Sequence, residues 1–193
     1  MKRELIYRIF SDPPILETAR LILRPMRSTD AEDMFEYASL PSVTRYLLWS
    51  EHSSVNYTRD YLRYIENRYA VGDFYDWAIV EKKSGKMIGT CGFTRIDAVN
   101  DVGELGYVLN PAYHKMGYAT EAAGEVKRFG FEVLALHRLE ARFMEGNEAS
   151  VRVMERLGMS FEGYAKDAIF VKGSYRTVGT FSVIDDNEIL QKT

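Results

Sequence analysis

A glutamate in the middle of a predicted strand is the first candidate for acid–base chemistry. Glu104 alternates with Val102, Gly106 and Val108, so these residues share one face of the strand. Among small and apolar neighbours a carboxyl group loses part of its hydration, which favours the form that holds a proton. A carboxyl group in this position is a candidate general base. The alternative is a partly exposed strand glutamate with an arginine partner, and the pattern by itself leaves both open.

A glycine-containing loop follows the same strand and leads directly into a predicted helix. The strand ends at Asn110-Pro111, and the loop contains Gly117. Free N–H groups at a helix start attract anions, and glycine lets the backbone approach a phosphate closely. The loop lacks the Lys-Ser/Thr of a P-loop and the three spaced glycines of a dinucleotide site. The pattern permits an anion site, although junctions of this kind are common, and it argues against an ordinary nucleotide-binding protein.

A second junction between strand and helix carries an amide and a hydroxyl group. Asn147 stands where the strand gives way to the helix, and Ser150 lies one turn further, on the same face as Leu157. Each residue also has an ordinary structural interpretation. Asn147 can cap the helix, and the Ser150 hydroxyl can bond to its own helix. Neither residue alone supports a function.

The elements that position these residues follow from changes in hydrophobic period. Helices are predicted at 31–38, 54–69, 119–134 and 147–157, and strands at 20–26, 75–81, 86–96, 102–109, 138–145, 160–170 and 176–184. Residues 1–15 are expected to be an irregular lead-in and residues 185–193 an acidic, solvated tail. No linker divides residues 16–184, so we predict one α+β domain.

Together, the ordered motifs resemble the GNAT N-acetyltransferase superfamily. The order is strand, glycine loop, helix, strand, Asn-x-x-Ser, helix and Gly-Met, and it covers about residues 16–184. The segments 16–25, 118–122 and 162–164 are similar to the ribosomal-protein-alanine/serine N-acetyltransferases, the RimJ/RimL group. The resemblance implies a mixed, mostly antiparallel sheet of about seven strands flanked by about four helices.

The resemblance also implies acetyl-CoA as co-substrate and no metal. Backbone amides of the loop and helix start would bind the pyrophosphate, at His114, Lys115, Met116, Gly117, Tyr118, Ala119 and Thr120. Val108 and Leu109 would pair with the pantetheine arm like an extra strand, and Asn147 would hydrogen-bond nearby. His114 stands where the family usually has Arg or Gln, and Lys115 where the subgroup often has Gly. We expect both departures to be tolerated, because the main chain does most of the phosphate binding.

Proton transfer and acceptor binding follow from the same resemblance. Related enzymes have a glutamate at the position of Glu104, as base directly or through water. Many use a tyrosine acid where this chain has Met154, whereas RimL-like enzymes have a serine at Ser150, near the sulfur. The residues predicted to line the acceptor pocket are Tyr46, Trp49, Tyr75 and Trp77. For Trp77 an ordinary core position is an equally good interpretation.

Composition excludes several other classes of protein. The chain has 193 residues and a net charge of −3, without the basic surface that nucleic-acid binding usually needs. No apolar run is long enough to span a membrane. A single cysteine, Cys91, predicts no disulfide and is expected to pack in the core rather than carry an acyl group. We expect a cytoplasmic monomer or homodimer.

The predicted function is transfer of an acetyl group from acetyl-CoA to a primary amine. The acceptor is a protein N-terminus, as in the RimJ/RimL group, or a small molecule such as a polyamine or an antibiotic. An alternative of another class is a CoA-binding regulatory module without turnover.

Overall fold

One mixed sheet runs through the molecule, with helices packed on both faces. The computed structural model describes residues 2–185. The strands are β1 (Leu16–Glu17), β2 (Leu21–Arg24), β3 (Tyr75–Glu81), β4 (Met87–Asp97), β5 (Val102–Leu109), β6 (Arg138–Met144), β7 (Ser160–Val171) and β8 (Ser174–Ile184). The helices are α1 (Lys2–Ser11), α2 (Ala31–Ala38), α3 (Pro41–Thr44), α4 (Val55–Ala70), α5 (Tyr118–Glu132) and α6 (Glu148–Arg156). Short 3-10 turns cover Ser28–Asp30 and Pro111–Tyr113.

The strand order confirms the predicted α+β class. It is β1-β2-β3-β4-β5-β6-β8-β7, and every neighbouring pair is antiparallel except β5 and β6, which are parallel. The described residues form eight strands and six helices, where about seven and four were predicted. The additional β1 and α3 have two and four residues, too few to show a hydrophobic period.

The segment 1–15 differs from the prediction of an irregular lead-in, because it contains α1. Ile6 and Phe10 are four residues apart, so both fall on one helix face and are buried. The Phe10 ring packs edge-on against Tyr75, with centroids 4.8 Å apart. Charged residues occupy four of the other eight positions of α1 and obscure this short apolar stripe. Of the predicted tail, residues 186–193 lie outside the described part of the chain.

Two hydrophobic clusters cover opposite faces of the sheet. In β3, Trp77 and Ile79 belong to the cluster beneath α1, α5 and α6, whereas Ala78 and Val80 belong to the cluster beneath α2 and α4. This alternation follows from the two-residue period of a strand. A polar residue in the second set therefore faces α2 and α4, which is the side on which the main cavity lies. Among residues 2–185, no helix is both long and apolar enough to cross a membrane.

Candidate active site

The two parallel strands at the centre of the sheet separate part-way along their length. β5 pairs with β6 from Val102↔Arg138 to Leu105↔Ala141, and there the pairing stops. β6 continues to pair with β8 as far as Met144↔Val178. The segment 106–109 of β5 therefore has no ladder partner on its β6 side within the described chain. Its backbone groups are available to a ligand that lies in the gap like an extra strand.

A cavity of about 770 Å³ opens from this gap across the sheet. Its floor comes from β3, β4 and β5, and its walls from the segment 46–53, α4, the start of α6 and the β7–β8 hairpin. Next to the cavity, two hydrogen bonds join the N-terminal half of the chain to the C-terminal half. The Tyr46 hydroxyl donates to Gly146 O at 3.0 Å, and Lys172 Nζ donates to Thr44 O at 2.7 Å. Ligand cavities commonly have this size and aromatic lining.

The loop before α5 has the conformation of an anion site. Lys115 and Gly117 both have positive φ, 62° and 81°, and α5 starts directly after Gly117. The first N–H groups of a helix have no partner within the helix, and its dipole favours an anion there. A Cβ at Gly117 would make only an ordinary contact, 3.4 Å from Arg20 Nη2. Apart from the adjoining residues, no other atom of the described chain lies within 4 Å of that Cβ position, so the space beside the Gly117 backbone is otherwise open.

Arg20 braces this loop, and the sequence analysis did not identify it. Its Nη1 donates to Met116 O at 2.9 Å, and its guanidinium lies 4.3 Å from the ring centroid of Tyr118. Glu121, in the first turn of α5, accepts from Arg20 Nε at 2.7 Å and from Thr18 Oγ1 at 2.6 Å. These partners are about one hundred residues apart in the chain, so no local pattern connects them. The Tyr118 hydroxyl is bonded to Glu81, which leaves the Tyr118 backbone for a ligand.

His114 and Asn147 make bonds within their own segments. His114 Nε2 lies 3.0 Å from Leu109 O, so its ring closes the loop on itself. Asn147 Oδ1 accepts from Ser150 N at 3.3 Å, which makes Asn147 the N-cap of α6. Asn147 and Val108 also line the cavity, and Leu109 is buried at the end of β5. The cap uses the Asn147 oxygen and leaves its amide N–H groups for a ligand.

Glu104 lies on the cavity floor beside the point where β5 and β6 separate. Its Oε1 accepts from Thr94 Oγ1 at 3.0 Å, and its Oε2 is 3.9 Å from Arg95 Nε. Its side chain is 18% exposed and that of Arg95 is 58% exposed. Glu104 therefore lines the cavity, as a general base would. It also has an arginine neighbour, as expected for a structural strand glutamate. The ion pair is long and its arginine is exposed, so it holds the Glu104 carboxylate only weakly.

Ser150 and Met154 lie on successive turns of α6 and both line the cavity. The Tyr107 hydroxyl donates to Ser150 O at 3.0 Å and ties the first turn of α6 to β5. This bond uses the Ser150 backbone, so the Ser150 hydroxyl is not committed to it. Burial raises the pKa of the Tyr107 phenol, which therefore stays neutral.

Three of the four residues predicted for the acceptor pocket line the cavity, namely Tyr46, Trp49 and Tyr75. Trp77 does not, and its assignment to the pocket is wrong. Its ring is fully buried between Phe10 and Phe129, and its Nε1 donates to Pro14 O at 2.8 Å. The strand period places Trp77 on the face opposite the cavity, so its core interpretation is the correct one.

Asp76 and Tyr37 are cavity residues that the sequence analysis missed. Burial raises the pKa of Asp76 to about 7, and hydrogen bonds from Thr90 and the Trp77 N–H only partly oppose this. The Tyr37 hydroxyl is buried and has no hydrogen-bond partner within residues 2–185. A charged residue in the otherwise apolar stretch 75–80 was the available signal. The position of Tyr37 beside it depends on the packing of α2.

The remaining candidates for other chemistry are not placed to act. Cys91 is fully buried on the face opposite the cavity, and burial raises the pKa of its thiol well above its usual value. A neutral buried thiol is a poor nucleophile. In the described part of the chain, no three His, Cys, Asp or Glu side chains are grouped so that they could hold a metal ion.

Comparison with known proteins identifies the family. Residues 20–160 match the model of the acetyltransferase (GNAT) domain. This chain belongs to the GNAT family. It is 34% identical over 169 residues to the uncharacterized N-acetyltransferase p20 of Bacillus licheniformis, covering 88% of this chain and 95% of that one.

Two further matches extend the comparison to a named activity and to a solved structure. The chain is 28% identical over 162 residues to spermidine N(1)-acetyltransferase of Escherichia coli, covering 80% of each chain. A GNAT-family acetyltransferase from Bacillus anthracis has the same fold, with a TM-score of 0.79 and 27% identity over 89% of this chain and 98% of that one.

Membership makes this GNAT chain an acyltransferase, and acetyl-CoA is the acetyl donor used by the family. Two features of this structure fit that donor. The unpaired edge at 106–109 suits an extended arm with amide groups, and the helix start at Gly117 suits a pyrophosphate. The cavity beyond them leaves room for an acceptor.

Proposed function

We propose that this protein transfers an acetyl group from acetyl-CoA directly to a primary amine bound in the cavity. The observation that supports this most strongly is the separation of β5 from β6 at Gly106, because it opens a slot between the anion site and the cavity. In this proposal the amides of residues 114–120 hold the pyrophosphate. Val108, Leu109 and Asn147 hold the pantetheine arm.

The acetyl donor supplies an activated carbonyl group. Residues of the chain accept the proton of the amine and stabilise the leaving group. The amine nitrogen forms a bond to the carbonyl carbon, the carbon–sulfur bond breaks, and the amine loses one proton. Glu104 accepts that proton, directly or through a water molecule. The Ser150 hydroxyl donates a hydrogen bond to the departing sulfur and stabilises its negative charge. Burial of Cys91 supports direct transfer, since no other cysteine is available as an acyl carrier.

Two classes of acceptor are candidates for this site. The resemblance of segments 16–25 and 118–122 to the RimJ/RimL group supports a protein N-terminal amine. The similarity to spermidine N(1)-acetyltransferase supports a small cationic amine. We favour the second class, because the hydrogen bonds from Tyr46 to Gly146 and from Lys172 to Thr44 join segments on two sides of the cavity and would hinder the approach of a protein.

The test is acetyl transfer to a panel of amines, with N-terminal peptides and small amines side by side, in native protein and in Glu104→Gln. The substitution keeps the shape of the side chain and removes the proton acceptor. We expect turnover to fall roughly 10²- to 10⁴-fold, with little change in acetyl-CoA affinity. The loss should shrink at high pH, where more of the amine arrives deprotonated.

The matched control is Glu140→Gln, which changes the residue paired with Glu104 across the parallel ladder but outside the cavity. It should leave turnover close to native. An acidic limb of the pH–rate profile that stays unchanged in Glu104→Gln would exclude Glu104 as the base. Binding of acetyl-CoA without transfer to any amine would favour a regulatory module instead.

A further inference from the structure

Asp76 is a carboxylate at the inner end of the cavity that has only neutral partners. Its Oδ1 accepts from Trp77 N at 3.0 Å, and Thr90 hydrogen-bonds to the same side chain. Within residues 2–185 no lysine, arginine or histidine lies at ion-pair distance from it. Arg68, a cation of the cavity wall, is held by Asp73 Oδ1 at 2.5 Å and by the Tyr64 hydroxyl at 2.6 Å. Asp76 is half-buried. A carboxylate withdrawn from water without a cation is costly, and a cationic ligand would reduce that cost.

Tyr37 provides a second, independent indication of a ligand at the same place. Tyr37 is completely buried, with 0% of its surface exposed. Its hydroxyl group makes no hydrogen bond within the described chain. Burial, and to a smaller extent the negative charge of Asp76, raises the pKa of Tyr37. The phenol therefore stays neutral, and its oxygen can accept an N–H. An unsatisfied buried hydroxyl destabilises a fold unless a ligand completes it.

The walls around these two groups are suited to a positive charge. Tyr61 and Phe74 line the cavity there, and the faces of aromatic rings attract ammonium groups. His52 lies on the same wall, in ring contact with Tyr61 at 5.4 Å. Burial lowers the pKa of His52, so its ring is neutral and does not repel a cation.

Between Asp76 and the gap where β5 separates from β6, the cavity floor consists of glycine residues without side chains. Asp76 pairs with Gly92, and Gly92 pairs with Gly106, where β5 leaves β6. A Cβ at Gly92 would lie 2.9 Å from Asp76 Oδ1, so a larger residue there would crowd the carboxylate. Two strand spacings separate Asp76 from Gly106, roughly 10 Å. That is too far for Asp76 to touch a nitrogen that reacts beside Gly106, but it is within reach of another group on the same acceptor.

We propose that Asp76 and Tyr37 form a subsite for a second ammonium group of the acceptor, a few carbon atoms away from the amine that is acetylated. The proposal rests on the proposed acetyl transfer, and it names the substrate class as aliphatic diamines and longer amines with the same spacing of charge. The carboxylate of Asp76 supplies the opposite charge, and the Tyr37 oxygen accepts one N–H.

The test compares 1,4-diaminobutane with 1-aminobutane, which differ only in the second amine. Binding is measured by calorimetry with CoA present, and kcat/KM by CoA release from acetyl-CoA. The proteins are native, Asp76→Asn, Tyr37→Phe and the control Asp60→Asn, which makes the same charge change on the exposed face of α4. Tyr37→Phe removes an unsatisfied hydroxyl, so its fold should be retained even if Asp76→Asn proves unstable.

We expect native protein and Asp60→Asn to prefer the diamine. The preference should fall roughly 10- to 100-fold in Asp76→Asn and by a smaller factor in Tyr37→Phe, with the monoamine unchanged. Equal binding of the two amines to native protein would overturn the subsite and leave acetyl transfer standing. An equal loss for both amines in Asp76→Asn would also overturn it, by placing Asp76 at the reacting nitrogen. Diamine binding that depends on Asp76 without any acetyl transfer would support the subsite and contradict the proposed function.

Discussion

In the proposed reaction the Ser150 hydroxyl forms a hydrogen bond to the departing sulfur. It lies in the first turn of α6 and lines the cavity, while Tyr107 holds the backbone of that turn through Ser150 O. Met154, one turn further, also lines the cavity but has no proton to donate. Serine is a weak acid, so its contribution is expected from hydrogen bonding to the thiolate rather than from complete proton transfer.

We therefore predict that Ser150→Ala lowers turnover about 10-fold, below the range typical of a positioned acid. The fold should be intact, since the bond from Tyr107 goes to the backbone and survives the change. The measurement is kcat under conditions in which chemistry limits the rate, together with the midpoint of urea unfolding. Adding Met154→Tyr to the variant should restore part of the rate by supplying a phenol from the next turn. Native turnover in Ser150→Ala would remove Ser150 from the mechanism.

At the scale of elements, the junction between β5 and α5 combines a strand end, a left-handed turn and a helix start. Gly117 adopts φ 81° immediately before α5, and Arg20 fixes the loop through a hydrogen bond to Met116 O. Gly158 offers a matched comparison, because it has φ 75° at the end of α6 and no atom within 4 Å of an added Cβ. Any L-residue at either position has to adopt the left-handed conformation.

We predict that Gly117→Ala and Gly158→Ala lose similar stability, about 1–2 kcal/mol each. Native protein should gain about 2.7 kcal/mol from acetyl-CoA at 100 times its dissociation constant. Gly158→Ala should keep this gain, whereas Gly117→Ala should lose most of it, since a methyl group would stand where the pyrophosphate approaches the backbone. The measurement is urea unfolding with and without acetyl-CoA. Equal gains in the two variants would place the pyrophosphate elsewhere.

For the whole molecule, Asp76 couples the cavity to the stability of the fold. Burial raises the pKa of Asp76 to about 7, above its usual 3.8. Between these values the native state keeps a proton that the unfolded chain has released, so the native state loses stability as pH rises through this window. The lowered pKa of His52 acts in the opposite direction, because its protonation on acidification favours the unfolded chain.

Asp76→Asn should therefore change the pH dependence of stability in a defined direction. Asparagine resembles the protonated carboxyl group, so variant and native protein should be similarly stable near pH 4. Near pH 8 the variant should be the more stable by on the order of a few kcal/mol. The measurement is the free energy of unfolding of both proteins, from urea titrations at the two pH values. His52 contributes equally to both proteins, so its contribution cancels when the two free energies are subtracted. A difference that does not vary with pH would show that Asp76 is ionised throughout.

The sequence by itself determined the elements whose signals are local. The bounds of β3 and β5 agree with the prediction, and α4, α5 and α6 begin or end within two residues of it. Hydrophobic period, the Asn147 cap and Gly117 each act over a few neighbouring residues, so they can be recognised without the fold. The same local order was enough to identify the family and to point to Glu104, Ser150 and the loop before α5.

Only the tertiary structure decided which side chains share the cavity. Tyr75 and Trp77 are two residues apart, yet Tyr75 reaches the rim and Trp77 is sealed against Phe10 of a helix that was not predicted. Asp76 lies near Tyr37, and Arg20 forms an ion pair with Glu121. In both pairs the two residues come from segments that are far apart in the chain. Strand pairing and helix packing create these neighbours, and they depend on burial summed over the whole sheet rather than on any local pattern. The separation of β5 from β6 has the same origin, because β6 follows β8 instead of β5 beyond Ala141.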